Sequence, residues 1–226
     1  MNLLFDLDGT LTDPAEGITA CIQHSLQALG QGNVPMKSDL RRFIGPPLQE
    51  TFAELLRTSD EAWIDDAIAR YRERFSVTGL FENELYAETL EGLACFQGAG
   101  HRLWVATSKP EVFAERIIDH FELTRFFQKV YGSELDGRNS AKTDLIAHVL
   151  LAEGLDPGQT CMIGDRSHDI VGGRANGVRT IGVLWGFGSE DELRMAKAEF
   201  VVDSVLSLRA TIETLARSSN SSASST

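Results

Sequence analysis

Residues 1–14 read MNLLFDLDGTLTDP, an apolar run (Leu3 to Phe5) that enters two aspartates, Asp6 and Asp8, with one leucine between them. On a strand, residues two apart project from the same face, so the two carboxylates would stand side by side. Like charges at that spacing repel. Either water screens them on an exposed loop, or a cation or shared proton compensates them at a site. The rest of the chain has to decide between these.

At 226 residues and 42% hydrophobic content, the chain is long enough for one large domain, or a main domain with a smaller companion, around a sizeable core. The formal net charge of −12 opposes generic binding to nucleic acid or to an anionic membrane surface, and neither partner is expected. Cys21, Cys95 and Cys161 lack metal-site or redox spacing and sit in apolar stretches, which suits reduced, core-forming thiols. No charged-then-apolar leader precedes the first strand, and no apolar run nears the ~18 residues of a membrane span, so a cytoplasmic location is expected.

Short runs rich in β-formers read as buried strands: NLLFDL, RLWVATS, KVYGS, TCMIGD, RTIGVLWG and, last, EFVVD. Helical stretches fall between most of them, at 110–120, 141–153, 167–176 and 204–217. That alternation predicts an α/β fold with a Rossmann-like parallel sheet covered on both faces. From Pro14 to Glu84 almost everything reads helical instead, including EGITACIQHSLQAL and EAWIDDAIARYRERF. The expected organisation is a discontinuous core, 1–13 and 85–217, a helical insertion, 14–84, and a disordered tail, 218–226, with nothing to bury.

Ligands of open parallel sheets bind beyond the carboxyl ends of the strands. The first strand delivers Asp6 and Asp8 there, the second Thr107 and Ser108, and the CMIGD strand Asp165, with Asp169 one helical turn later and Lys142 opening the helix after the third strand. Clustered carboxylates at an open edge suit Mg²⁺, which binds through one or two carboxylates, waters and a substrate phosphate. The Thr107 hydroxyl, Lys142, and backbone N–H groups around Gly9, Thr10 and Ser108 could hold the phosphate oxygens. Serine, cysteine and histidine lack an evident base partner, so a carboxylate is the available nucleophile on phosphorus.

DLDGT, the threonine of VATSK, Lys142 and GDRSHD resemble, in order, the four motifs of the haloacid dehalogenase superfamily, and the likeness covers nearly the whole chain. The resemblance implies a phosphatase with Asp6 as nucleophile and Asp8 as acid/base. It implies Mg²⁺ on the Asp6 carboxylate, the Asp8 carbonyl oxygen and Asp165, with Asp169 orienting a metal-bound water. The insertion resembles the α-helical cap of the phosphoglycolate phosphatase and phosphoglucomutase branch, and RRFIGPPLQETF resembles its substrate-facing loop. With GDRSHD and GVLWGFGSEDEL, it also looks like the subgroup called 5'-nucleotidases.

The expected activity is therefore Mg²⁺-dependent hydrolysis of a small soluble phosphate ester. Phosphoglycolate is the first candidate, a nucleoside 5'-monophosphate the alternative, and a sugar phosphate or a mutase of the phosphoglucomutase kind a further one. A phospho-aspartate receiver is disfavoured because receivers carry that aspartate on the third strand, which here ends VYGSELDG. A non-catalytic binding module is disfavoured because every catalytic position carries its chemistry. Lys109 is a candidate phosphate or substrate contact, as are Arg42 and Gly45 of the cap loop. Arg41, Arg72, Arg74, Arg166 and His168 could equally be solvated. The glycines of GFG (186–188) read as turns.

Overall fold

The computed structural model describes residues 1–223, with side chains described through residue 217. The tail expected to be disordered, 218–226, lies outside the described side chains and, from 224, outside the described residues altogether. In chain order the elements are β1 (Asn2–Phe5), β2 (Thr12–Asp13), α1 (Ala15–Ala28), α2 (Lys37–Leu40), α3 (Leu48–Leu56), α4 (Glu61–Arg74) and β3 (Glu84–Leu85). They continue with α5 (Thr89–Gly98), β4 (Arg102–Pro110), α6 (Glu111–His120), β5 (Lys129–Ser133), α7 (Lys142–Glu153), β6 (Thr160–Gly164) and α8 (Ser167–Ala175). The last are β7 (Arg179–Val183), α9 (Glu190–Met195), β8 (Phe200–Val202) and α10 (Val205–Ala223).

Six strands form one sheet in the order β5-β4-β1-β6-β7-β8, every neighbouring pair parallel. Because β1 is central, the chain leaves it in two directions, and the carboxyl ends of β4, β1 and β6 lie next to one another at the point where the strand order reverses. β1 and β6 are buried along their whole length, as strands covered on both faces must be. On one face Leu4, Trp104, Ala106 and Met162 meet Leu145, Ile146 and Val149 of α7. Each such aliphatic side chain contributes about 1.5–3 kcal/mol on full burial. α7 stops at Gly154, which takes the left-handed conformation (φ +61°) that closes a helix.

The chain divides into two compact units, one made of Met1–Leu11 and the chain from Leu85 onward, the other of Thr12–Glu84. The second unit thus opens two residues before the expected Pro14. Thr12–Asp13 leaves the core run to pair with Glu84–Leu85 as a separate two-stranded sheet. Helix α5 was absent from the sequence expectation. It carries Gly92 and Gly98, poor helix formers, and a Cβ on Gly92 would come 2.7 Å from Val205. Cys21 and Cys161 are buried thiols, Cys95 is half-buried, and none is in a disulfide. No described helix is long and apolar enough to cross a membrane.

Within the second unit, Arg74 donates two hydrogen bonds, of 2.7 and 2.8 Å, to the two carboxylate oxygens of Glu82. Those bonds hold Glu82 below its ordinary carboxylate range. A depressed carboxylate contributes stability above its unfolded value and loses it as pH falls through the folded one. Glu82→Gln should therefore melt below wild type at neutral pH, with the gap closing as the solution is acidified below the usual glutamate range. Thermal unfolding of both proteins across pH measures this, and a gap independent of pH would refute it.

Candidate active site

The loop leaving β1 carries Asp6 and Asp8, both buried. Asp6 Oδ1 accepts the Leu7 N–H at 2.8 Å and stands 2.8 Å from Lys142 Nζ. Lys142 is the first residue of α7 and only 5% exposed, so its stem crosses under β4 to donate to the Ala106 carbonyl at 2.7 Å. Its ammonium also lies 2.6 Å from Asp169 Oδ1. The Ala106 carbonyl takes a hydrogen bond, and the two carboxylates pair with the same ammonium by charge. Lys142 therefore clamps Asp6 to Asp169, and it is already engaged rather than reaching outward for a phosphate. Burial works against its charged form, but Asp169 and Asp6 outweigh that and raise its pKa.

Asp165 follows β6 and is fully buried. Its Oδ2 accepts the Phe187 N–H at 2.8 Å, and the Thr10 hydroxyl approaches Oδ1 at 3.5 Å. Burial, then the charges of Asp169 and Asp6, push its pKa well above the usual carboxylate value. Asp169, in the first turn of α8, serves twice. Its Oδ2 accepts the Arg166 N–H at 3.1 Å and so caps the helix, while Oδ1 meets Lys142. Burial, opposed by Lys142 and reinforced by Asp6, raises its pKa to about 6.

The glycines of GFG are more than turns. A Cβ on Gly186 would fall 2.4 Å from Asp165 Cβ, and one on Gly188 would fall 1.9 Å from the Asp165 carbonyl oxygen. Only glycine lets this loop close over Asp165 and present the Phe187 N–H to it. Gly9 (φ +82°) gives the same close approach from the β1 side, where a Cβ would lie 2.2 Å from Asp165 Oδ2. Both were open to a sequence reader only as glycines next to an acidic motif.

Asp8 has a separate cation. Its Oδ2 lies 2.8 Å from Lys109 Nζ, and the Lys109 side chain is only 6% exposed, so Lys109 is neither solvated nor at an open rim. Asp8 Oδ1 is buried and has no hydrogen-bond partner among the described residues. Burial raises the Asp8 pKa, and Lys109 offsets part of that rise. Thr107 is buried in β4 just after Ala106, where the regular pairing with β5 breaks, and its Oγ1 accepts the Lys109 N–H at 3.3 Å. The Ser108 carbonyl accepts from the Ser133 hydroxyl at 2.9 Å. The Thr10 N–H, expected to face phosphate, donates instead to the Leu7 carbonyl at 3.3 Å.

Most of the remaining candidates have ion-pair partners of their own. Arg166 donates to Glu192 at 3.0 Å, and His168 is exposed. Arg42 and Gly45 belong to the other unit, where Arg42 pairs with Glu54 at 2.6 Å and Gly45 has φ +106°. Arg41 lies 3.8 Å from Asp13, Arg72 is half-buried and Arg74 is bound to Glu82. Each of these ion pairs is made inside one unit.

Asp6, Asp165 and Asp169 each offer an oxygen within 4.8 Å of the others, all three residues buried. With Asp8, four carboxylates face two ammonium groups, Lys142 and Lys109, so full ionisation leaves two negative charges uncompensated. A hard divalent cation among three carboxylate oxygens supplies that compensation, and the donor set fits Mg²⁺.

Residues 3–183 match the family model described as haloacid dehalogenase-like hydrolase. A Pseudomonas aeruginosa protein named 5'-nucleotidase is 50% identical, over 94% of this chain and 95% of its own length. The tyrosine-protein kinase PtkA of Mycobacterium tuberculosis is 40% identical over 84% of this chain and 64% of its own. The crystal structure of a predicted phosphatase from Clostridium acetobutylicum superposes with a TM-score of 0.90 at 41% identity, over 94% of this chain and 98% of that one. The family model spans most of the chain and these relatives are matched over nearly its whole length, so the chain belongs to the haloacid dehalogenase-like hydrolases, as one of their phosphatases.

Proposed function

We propose that the chain hydrolyses a small phosphate monoester, a nucleoside 5'-monophosphate before phosphoglycolate, through an aspartyl phosphate on Asp6. The observation that carries this is the unequal state of two carboxylates two residues apart. Asp6 Oδ1 is bound by Lys142 and the Leu7 N–H, which fixes the group and leaves Oδ2 for attack. Asp8 Oδ1 is buried without a hydrogen-bond partner among the described residues, which an incoming leaving oxygen would supply. The half-identical relative named 5'-nucleotidase favours the nucleotide over the phosphoglycolate that the sequence alone put first.

In the first step the Asp6 Oδ2–P bond forms while the bond from phosphorus to the leaving oxygen breaks, and that oxygen takes the Asp8 proton. In the second, Asp8 takes a proton from water, the water oxygen attacks phosphorus and the Asp6–P bond breaks, releasing inorganic phosphate. Asp6, Asp165 and Asp169 would hold Mg²⁺, with the Asp8 carbonyl oxygen as the resemblance implies. When bound, the ion neutralises charge on the phosphoryl oxygens. Lys142 holds Asp6 in place throughout, and Thr107, with the loop N–H groups around it, orients the phosphoryl group.

Asp6→Asn should abolish phosphate release with the fold intact, and Asp8→Asn should lower it by about 10²-fold, the usual worth of a positioned acid/base. Wild-type rates in either variant would remove that residue from its role. Asp165→Asn should lose Mg²⁺ binding measured by titration calorimetry without any substrate present, and unchanged binding would place the ion elsewhere. In a panel of nucleoside 5'-monophosphates, 2-phosphoglycolate and hexose phosphates, the nucleotides should have the highest kcat/KM. A preference for phosphoglycolate would reverse the choice of leaving group while leaving the mechanism standing.

A further inference from the structure

We infer that Lys109 is a positioning residue for Asp8, holding one carboxylate oxygen so that the other alone carries the proton exchanged with the leaving group and with water. The inference rests on the proposed role of Asp8 as that proton's donor. Four observations converge on it. Lys109 Nζ and Asp8 Oδ2 are 2.8 Å apart with both side chains almost wholly enclosed, and the opposite oxygen, Oδ1, is buried without a hydrogen bond among the described residues. A carboxyl group with both oxygens equally placed could rotate and present its proton in either direction. An ammonium on one oxygen removes that freedom, because a protonated Oδ2 would point its hydrogen at a cation.

The third observation is that the backbone is built to aim this lysine. Between Ala106, which pairs with Tyr131, and Pro110, which pairs with Ser133, three residues intervene on β4 against one on β5. The extra residues are part of Thr107–Ser108–Lys109, and irregularities of this kind re-aim side chains next to active sites. The fourth is that β5 accommodates the irregularity. A Cβ on Gly132 would collide with the Lys109 carbonyl oxygen at 2.6 Å and with Glu111 N at 2.5 Å, and the Ser133 hydroxyl holds the Ser108 carbonyl at 2.9 Å. The Lys109 N–H is itself held on Thr107 Oγ1. An extended β4 would alternate these side chains across the sheet and lose the reach from Lys109 to Asp8.

Leaving-group dependence separates this role from direct phosphate binding by Lys109 and from a structural role. Adenosine 5'-monophosphate leaves as an alkoxide that needs a proton, whereas p-nitrophenyl phosphate leaves as a stable phenolate that does not. For Lys109→Met, kcat/KM on the nucleotide should fall by about 10²-fold, the worth of the misdirected acid. On p-nitrophenyl phosphate it should fall less than about fivefold, since only the acid's share is lost. The nitrophenol should appear as a burst followed by a slow steady rate, because water attack on the aspartyl phosphate still needs Asp8.

Equal losses on both substrates, or a loss confined to KM, would overturn the inference. Asp8→Asn is measured beside it. If that variant has the leaving-group signature and Lys109→Met lacks it, the inference about Lys109 fails alone. If Asp8→Asn lacks the signature too, the proposed role of Asp8 fails with it. Should Lys109→Met not fold, Lys109→Arg is read on the same two substrates. Retaining the cation, it should lose less than the methionine variant is expected to lose, and again only on the nucleotide; equal losses on the two substrates would overturn the inference.

Discussion

The site depends on burying four carboxylates beside two ammonium groups at one end of a parallel sheet. Such a cluster would not assemble in a protein interior on geometry alone, because desolvating each charge costs several kcal/mol before any pairing. Lys142 makes the arrangement possible. Its ammonium reaches Asp6, Asp169 and the Ala106 carbonyl at 2.6–2.8 Å, tying together groups delivered by β1, α8 and β4. Its stem needs the first turn of α7 packed on β4, which in turn needs Leu145, Ile146 and Val149 against Trp104. Core packing and site electrostatics are therefore one construction. The charge that remains is negative, and the fit for a divalent cation follows from that residue of charge.

Sheet topology explains why so few elements suffice. With β1 between β4 and β6, three adjacent strands deliver a carboxylate pair, a hydroxyl and a further carboxylate to one edge of the sheet, and none has to be carried there by a long loop. Glycine then sets how closely the loops can approach. Gly9 from one side and Gly186 and Gly188 from the other let backbone lie against Asp165, so a fully buried carboxylate receives a main-chain N–H where a side chain would otherwise stand.

Much of this was legible in the sequence because it lies at strand ends, where an apolar run stops at a chemically distinctive residue. Asp6, Asp8, Thr107 and Asp165 carry that signal, Lys142 and Asp169 stand in the first turns of the helices that follow, and the buried strands between them read as apolar runs. Partner identity was not legible. Lys109 follows the second motif in the chain, but only the irregularity of β4 turns it onto Asp8, and irregular pairing leaves no periodic trace. Arg74 and Glu82 are eight apart in sequence, and a helix-face arginine reads as solvated until the chain beyond Gly79 returns alongside it. Helix α5 was missed because Gly92 and Gly98 weaken the helical signal where close packing on Val205 requires a glycine.

The two aspartates that open the chain would repel if they shared one environment, and the structure gives them two. Asp6 is paired with Lys142 through Oδ1, so its carboxylate is held in place with the other oxygen spare. Asp8 meets Lys109 on one oxygen only, and its burial favours retaining a proton against that cation's pull. The two lysines come from different elements, the start of α7 and the end of β4, so each carboxylate has a cation of its own at 2.8 Å. A single lysine bridging both would have made them alike. Separate cations give neighbouring carboxylates different contacts, and the proposed attack by one and proton from the other rely on that difference.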